Sequence, residues 1–220
     1  MLAAVLAAGG CSAGPADGRG EPGRTGGGPA AGGSALTAVG DLTVKGRAPR
    51  TGYERAEFGS SWVDTDRNRC GTRDDILKRD LTDVSFRDGD CVVVTGTLTD
   101  DPYTGRTVRF VRGRSKVDID HVVALSDAWQ KGARGWDRKR RVAFANDPLN
   151  LIAVDASANR RKGDGDTATW LPPNRAYRCA YVARQVAVKR KYGVWVTRAE
   201  KDAMVRVLDG CPGTPLPGGA

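Results

Sequence analysis

A lone histidine marks the stretch of this sequence where catalytic chemistry is easiest to imagine. His121 is the only histidine among 220 residues, and Asp120 precedes it within the segment Asp-Ile-Asp-His-Val-Val at 118–123. A neutral imidazole can take a proton from water near neutral pH, and a nearby carboxylate can hold a divalent cation. Together these groups suit in-line attack of water on a phosphodiester. We therefore predict His121 to be a general base.

The residues predicted to hold the cation offer oxygen ligands only. Asp120 contributes a carboxylate, and Asn159 contributes an amide oxygen. Oxygen donors of this kind suit Mg²⁺ or Mn²⁺, with several waters retained, and suit Zn²⁺ poorly. We expect one ion. An amide or a backbone carbonyl would hold the second imidazole nitrogen in one tautomer, and Asn150 lies in the intervening segment.

Basic residues follow closely after Asn159. Arg160, Arg161 and Lys162 are predicted to bind a substrate phosphate, and an arginine would do so with two parallel hydrogen bonds. A solvated Lys162 without a ligand is an equally good interpretation. Asp118 and Asp164 flank the motif and are expected to support the site or the fold, not to bind the metal directly.

The elements that must position these groups form a mixed pattern. Residues 118–123 are typical of a short strand that ends in a reactive corner. Three earlier segments are rich in β-branched residues and predict a small antiparallel sheet. Their ranges are 84–86, 91–98 and 107–111. Two later segments, 174–192 and 197–208, predict helices, the second opened by a capping box of Thr197 and Glu200. The fold class is therefore α+β.

The motif as a whole resembles the HNH endonucleases, also called ββα-metal or His-Me finger nucleases. It is most similar to secreted bacterial proteins related to the C-terminal domain of GmrSD restriction enzymes. The resemblance implies that His121 is the general base and that Asn150 orients it. It also implies that Asp120 and Asn159 bind the metal, in the pattern Asp-His-Asn-Asn. A ββα-metal core is thus expected beside the small N-terminal sheet and the C-terminal helices.

Charge is concentrated around this motif. The chain has 35 basic and 26 acidic residues, a net charge of +9. Residues 106–206 contain 23 of the basic and 10 of the acidic residues, so this part carries +13 and the remainder −4. A basic surface around a candidate site favours a polyanionic partner such as nucleic acid, and we expect DNA. A generally basic proteome is the other explanation for this charge.

The N-terminus predicts export. Residues 1–11 are apolar, end in Gly-Gly-Cys and resemble a lipobox, so Cys11 is a candidate for lipidation. Residues 12–35, rich in Gly, Pro and Ala, predict a flexible tether. The nuclease domain is expected at 36–211, with its motif core at 117–166, and a disordered tail at 212–220. The protein would then be extracellular or on the cell surface, as a bacterial lipoprotein.

The remaining four cysteines predict two disulfides. Four cysteines allow three pairings, of which we favour Cys70–Cys91 and Cys179–Cys211 because each closes a modest loop. Such bridges persist in exported proteins.

The predicted function is a metal-dependent endonuclease. The main alternative is a non-catalytic nucleic-acid-binding surface lipoprotein on a nuclease-like fold. Another is a surface module stabilised by calcium, because Asp64-Thr65-Asp66-Arg67-Asn68 has the spacing that opens a calcium loop. A serine hydrolase is the weakest alternative, since the chain has no G-x-S-x-G motif.

Overall fold

The computed structural model describes residues 33–87 and 89–218. The predicted leader, Cys11 and most of the predicted tether lie outside these residues. The strands are β1 (Thr82–Arg87), β2 (Val92–Leu98), β3 (Val108–Val111), β4 (Val117–His121) and β5 (Leu151–Asp155). The α-helices are α1 (Ala35–Gly40), α2 (Thr72–Asp80), α3 (Leu125–Gln130), α4 (Arg138–Ala145), α5 (Ala156–Lys162), α6 (Arg178–Tyr192) and α7 (Arg198–Asp209). The predicted α+β class is confirmed.

Two small antiparallel sheets carry the β structure. The first has the order β1-β2-β3, and each of its strands lies within two residues of its predicted range. The second consists of β4 and β5, in register from Val117 opposite Asp155 to His121 opposite Leu151. β4 therefore ends at the histidine, and α5 follows β5 directly.

The β4–β5 pair lies between two parts of the hydrophobic core. Side chains alternate across a strand, so the two faces of the pair meet different neighbours. Ile152 and Val154 on one face pack with α6 and α7, while Ile119 and Ala153 on the other pack with α2 and the three-stranded sheet. Burial on both faces explains why β5 reads as an uninterrupted apolar run, Leu-Ile-Ala-Val.

Both predicted disulfides are present in the structure. Cys70–Cys91 joins the segment before α2 to the start of β2, and Cys179–Cys211 joins α6 to the segment after α7. Within the segment expected to be a disordered tail, 212–220, Thr214 and Pro215 contact the start of α1. There the Ala35 amide donates to the Thr214 carbonyl at 2.8 Å.

Five buried charged side chains and the more exposed Arg47 form a network between α3, α6 and α7. They are Arg47, Asp127, Lys131, Asp166, Lys189 and Glu200. The Lys131 ammonium lies 2.6 Å from Asp127 and from Glu200, and 2.8 Å from Asp166. Three cations balance three carboxylates, which is the condition under which buried charge is tolerated. The network fixes the helices behind the β4–β5 pair.

No helix among the described residues is both long enough and apolar enough to cross a membrane.

Candidate active site

His121 lies at the end of β4 and is almost fully buried. Its Nε2 is 2.8 Å from the carbonyl oxygen of Ala145, the last residue of α4. Because a carbonyl only accepts, Nε2 must carry the proton, which leaves the lone pair on Nδ1. The Trp62 ring stacks nearly parallel to the imidazole, at 15° and 6.3 Å between centroids. The tautomer and ring orientation of His121 are thus both fixed.

The buried imidazole is held in its neutral form. The pKa of His121 is lowered to about 3, mainly by burial and also by the positive charges of Arg55 and Lys162, while the hydrogen bond to the Ala145 carbonyl opposes the shift. The imidazole is therefore neutral near pH 7, and the lone pair on Nδ1 is unprotonated.

Asp120 precedes His121 and points to the other face of β4. Its carboxylate accepts from the Tyr103 hydroxyl at 2.5 Å and from the Lys162 ammonium at 3.0 Å. Burial raises the pKa of Asp120, and the Lys162 charge and the Tyr103 hydrogen bond oppose that rise. The pKa of Tyr103 is itself raised by burial and by Asp120, so its hydroxyl stays protonated and donates.

Asn150 is fully buried, and its side chain forms hydrogen bonds with backbone groups of two different segments near His121. Its Oδ1 accepts from the Val123 amide at 2.9 Å, and its Nδ2 lies 3.3 Å from the Val123 carbonyl and 3.5 Å from the Phe144 carbonyl. The side chain thereby joins the segment just after His121 to the end of α4, which supplies the Ala145 carbonyl. The hydrogen bonds that Asn150 makes among the described residues are to backbone groups, not to the imidazole.

Asn159 reaches the site from α5. Asp155 caps the N-terminus of this helix, because its carboxylate accepts a hydrogen bond from the Ala158 amide at 2.8 Å. Asn159 Nδ2 donates to Asp118 Oδ2 at 3.2 Å, which leaves the amide Oδ1 available for a cation. This hydrogen bond between α5 and β4 orients the Asn159 side chain.

An open cavity of about 390 Å³ brings these groups together. Among the sequence-predicted residues it is lined by Asp120, His121, Asn159 and Asp164. The Asp164 carboxylate accepts from the Ser126 hydroxyl at 3.0 Å and is about half exposed. A larger groove of about 720 Å³ lies elsewhere, lined by residues of α6 and the C-terminal segment, and none of the candidate site residues lines it.

The three residues predicted to bind phosphate, Arg160, Arg161 and Lys162, lie outside the lining of the cavity. Lys162 is buried, and its ammonium is 2.9 Å from the His121 carbonyl as well as 3.0 Å from Asp120. Arg160 and Arg161 are exposed on α5, where Arg161 donates to Ser157 at 2.6 Å.

Sequence reasoning missed four residues around the cavity. Arg50, Tyr53 and Arg55 line it, and Tyr103 holds Asp120 from behind. Tyr103 lies in a Pro-Tyr-Thr-Gly turn, so its local sequence predicts only a bend. These contacts join residues far apart in the chain, and no local pattern identifies them.

The loop at 64–75 uses its acidic side chains internally. Asp64 accepts from the backbone amides of Arg67 and Arg69 at 2.7 and 2.9 Å. The Asn68 amide donates to Asp66 at 3.1 Å and to Asp75 at 2.9 Å. These bonds account for the Asp-x-Asp-x-Asn spacing as a self-capped turn.

Together the fold and cavity define an α+β protein that presents a neutral, buried imidazole beside oxygen donors. The family described as GmrSD restriction endonucleases, C-terminal domain, matches residues 71–207, more than half of the chain. This chain belongs to that family, which confirms the predicted relation to the C-terminal domain of GmrSD restriction enzymes and indicates a nuclease role. A protein of Arthroderma benhamiae named as an uncharacterized secreted protein is 41% identical over 180 residues, 81% of this chain and 85% of that protein. The two disulfides also fit an extracellular location.

Proposed function

We propose that this protein is a metal-dependent HNH-type endonuclease that hydrolyses phosphodiester bonds in DNA. The observation that carries the proposal is the single cavity shared by His121, Asp120 and Asn159. It combines a base in the correct protonation state with two oxygen donors for a hard cation. We assign the ββα-metal core to β4, β5 and α5, because the β4–β5 pair and the helix that follows it supply all three side chains.

In this mechanism His121 activates the attacking water. Water oxygen forms a bond to phosphorus while its proton passes to Nδ1. The bond from phosphorus to the leaving deoxyribose oxygen breaks in line, and that oxygen takes a proton from solvent. The Ala145 carbonyl stabilises the imidazolium that forms, since it holds the Nε2 proton at 2.8 Å.

The donor set fits one Mg²⁺ or Mn²⁺ ion. Asp120 offers a carboxylate and Asn159 an amide oxygen with its NH₂ group engaged by Asp118. Two protein oxygens leave most of an octahedral shell to water and substrate, as is common for Mg²⁺. The bound ion would supply positive charge beside the phosphate and the leaving oxygen.

Lys162 and Tyr103 position Asp120 in this mechanism. Burial alone would favour a protonated carboxyl, which is a poor ligand. The Lys162 ammonium at 3.0 Å and the Tyr103 hydroxyl at 2.5 Å favour the ionised form. We therefore assign Lys162 to the support of a metal ligand. Asp118 supports the other proposed ligand, because it accepts a hydrogen bond from the Asn159 amide and orients its oxygen.

A basic groove supports a polymeric substrate. It is lined by four exposed cations, Arg106, Arg109, Arg114 and Lys116, and by the single carboxylate of Asp155. In an extended chain every second side chain lies on the same face, so Lys116, Asp118 and Asp120 share one face. Lys116 lines the groove, and four residues at about 3.3 Å each place it about 13 Å from Asp120. A nucleic-acid backbone is long enough to occupy both the groove and the catalytic cavity, and a mononucleotide is not.

Export through the N-terminal segment, with lipidation at Cys11, completes the proposal. The secreted relative and the disulfides support the export part. The protein would act on nucleic acid outside the cell, tethered to the membrane by the lipid alone.

The experiment is incubation of the full-length, disulfide-bonded protein with plasmid DNA in Mg²⁺, Mn²⁺ or EDTA. We expect nicking or linearisation with either metal and intact plasmid in EDTA. Binding of the plasmid without cutting in any metal would support the alternative, a non-catalytic nucleic-acid-binding lipoprotein. A parallel incubation with RNA tests the substrate class.

A further inference from the structure

The segment 50–62 lies before the part of the chain that matches the family, and it forms one wall of the catalytic cavity. Arg50, Tyr53 and Arg55 line the cavity together with His121 and Asp120. Trp62, at the end of the segment, stacks on the His121 ring. The cavity is therefore completed by residues that the family match does not include.

Of the two arginines in this wall, Arg55 is the one without a partner among the residues that the structure describes. Within the described part of the chain its guanidinium makes no ion pair and no side-chain hydrogen bond, and the residue is exposed. Arg50, by contrast, lies 3.9 Å from the Asp164 carboxylate and over the Tyr53 ring at 4.9 Å. The Arg55 charge is also close enough to lower the pKa of His121.

The backbone that carries Arg55 is firmly anchored. Arg55 begins a single 3-10 turn that ends at Phe58, which is buried against Phe144 of α4 with ring centroids 6.0 Å apart. Arg141 of α4 donates to the Glu57 carbonyl at 2.9 Å and to the Glu57 carboxylate at 3.1 Å. The same helix ends at the Ala145 carbonyl that orients His121. One helix thus fixes the spacing between Arg55 and the general base.

Gly59 permits this anchoring. It has a φ of +86°, and a Cβ at this position would come within 2.5 Å of a Val142 methyl group on α4. The close approach of the turn to α4 therefore requires glycine.

We propose that Arg55 binds the scissile phosphate and neutralises the charge that develops there during hydrolysis. The proposal rests on the proposed nuclease function and names a substrate contact for it. A free guanidinium beside the base can donate two parallel hydrogen bonds to the non-bridging oxygens of a phosphodiester. The residues that sequence reasoning chose for this part do not line the cavity. Arg55 makes no covalent bond and transfers no proton.

The test compares Arg55→Gln and Arg55→Lys with the wild type on two substrates, plasmid DNA and bis(4-nitrophenyl) phosphate. The small diester has a scissile phosphate and no flanking ones. We expect Arg55→Gln to lower kcat about 10- to 100-fold on both substrates and Arg55→Lys to recover part of the loss. Arg198→Gln, at an exposed arginine on α7, is the matched control and should leave both rates unchanged.

Three results would overturn the proposal. Unchanged kcat in Arg55→Gln would remove Arg55 from the reaction. A loss on plasmid alone would place it on a flanking phosphate. A loss in Arg160→Gln instead would return the phosphate contact to α5. Equal melting temperatures of the variants and the wild type establish that each loss is local. A wild type that cuts neither substrate with either metal would reject the nuclease function itself, and the Arg55 proposal with it.

Discussion

Acid should destabilise this protein through its single histidine. The unfolded chain has an ordinary imidazole with a pKa of about 6.5, whereas burial lowers the folded value to about 3. Protonation is therefore favoured in the unfolded chain, so stability falls as the pH drops through 6.5 and levels off below 3. Each pH unit in that interval costs about 1.4 kcal/mol, so lowering the pH from 7 to 5 costs about 2 kcal/mol.

Urea unfolding at pH 7 and pH 5 measures this loss, with disulfides intact and EDTA present to remove divalent metal. The comparison is with His121→Asn, which keeps a donor for the Ala145 carbonyl and has no titrating ring. No other histidine exists in the chain to obscure the result. We expect the wild type to lose about 2 kcal/mol more than the variant between the two pH values. An equal loss in both proteins would show that His121 is not held neutral by burial.

Three further predictions test the support around the site. Lys162→Met leaves the buried Asp120 without its cation and favours the protonated carboxyl, which is a poor metal ligand. We therefore expect a loss of about 3 kcal/mol and a smaller Mg²⁺-induced rise in melting temperature than in the wild type; an equal rise would separate the metal from Asp120. Glu200→Gln breaks the network around Lys131 and Lys189 and should lower the free energy of unfolding in urea by about 3–5 kcal/mol. Asp202→Asn, on the same helix, should lower it little, and similar losses in the two variants would contradict the importance of the network. The third prediction concerns the basic groove and uses His121→Ala protein in EDTA, so that DNA is bound but not cut. There Arg109→Gln and Lys116→Gln should each reduce the slope of log binding constant against log salt concentration on duplex DNA by about 0.9. An unchanged slope would exclude the groove from binding.

The sequence alone predicted the candidate site residues, strands β1–β4 and helices α6 and α7. Asp120 and His121 lie on one strand and Asn159 lies on the helix that follows its partner, so their convergence depends on a single local unit. The disulfides could be chosen because each closes a modest loop. Strands β1–β3 were predicted from β-branched composition, which is a local property.

The contacts that could not be predicted are long-range and polar. The amide of Glu200 bonds to Thr197 as the capping box requires, but its carboxylate turns inward to Lys131 and Lys189. Lys162 follows two exposed arginines, and only its position against Asp120 shows that it is buried. In both cases a charged side chain found its partner on another element, and sequence spacing does not encode such pairs.

Arg55 illustrates the same limit at the catalytic cavity. It precedes His121 by more than sixty residues, and its local sequence, Tyr-Glu-Arg-Ala-Glu-Phe, resembles an ordinary surface turn. The packing of Phe58 on α4 brings it to the site.

The central claim is that His121 takes the proton from the attacking water. The most direct measurement is the plasmid-cleavage rate of His121→Ala against the wild type in saturating Mg²⁺, after urea unfolding has shown both to be folded. Loss of the base should lower the rate by about 10²- to 10⁴-fold while plasmid binding is retained. A variant that cuts at the wild-type rate would contradict the mechanism and the assignment of the site.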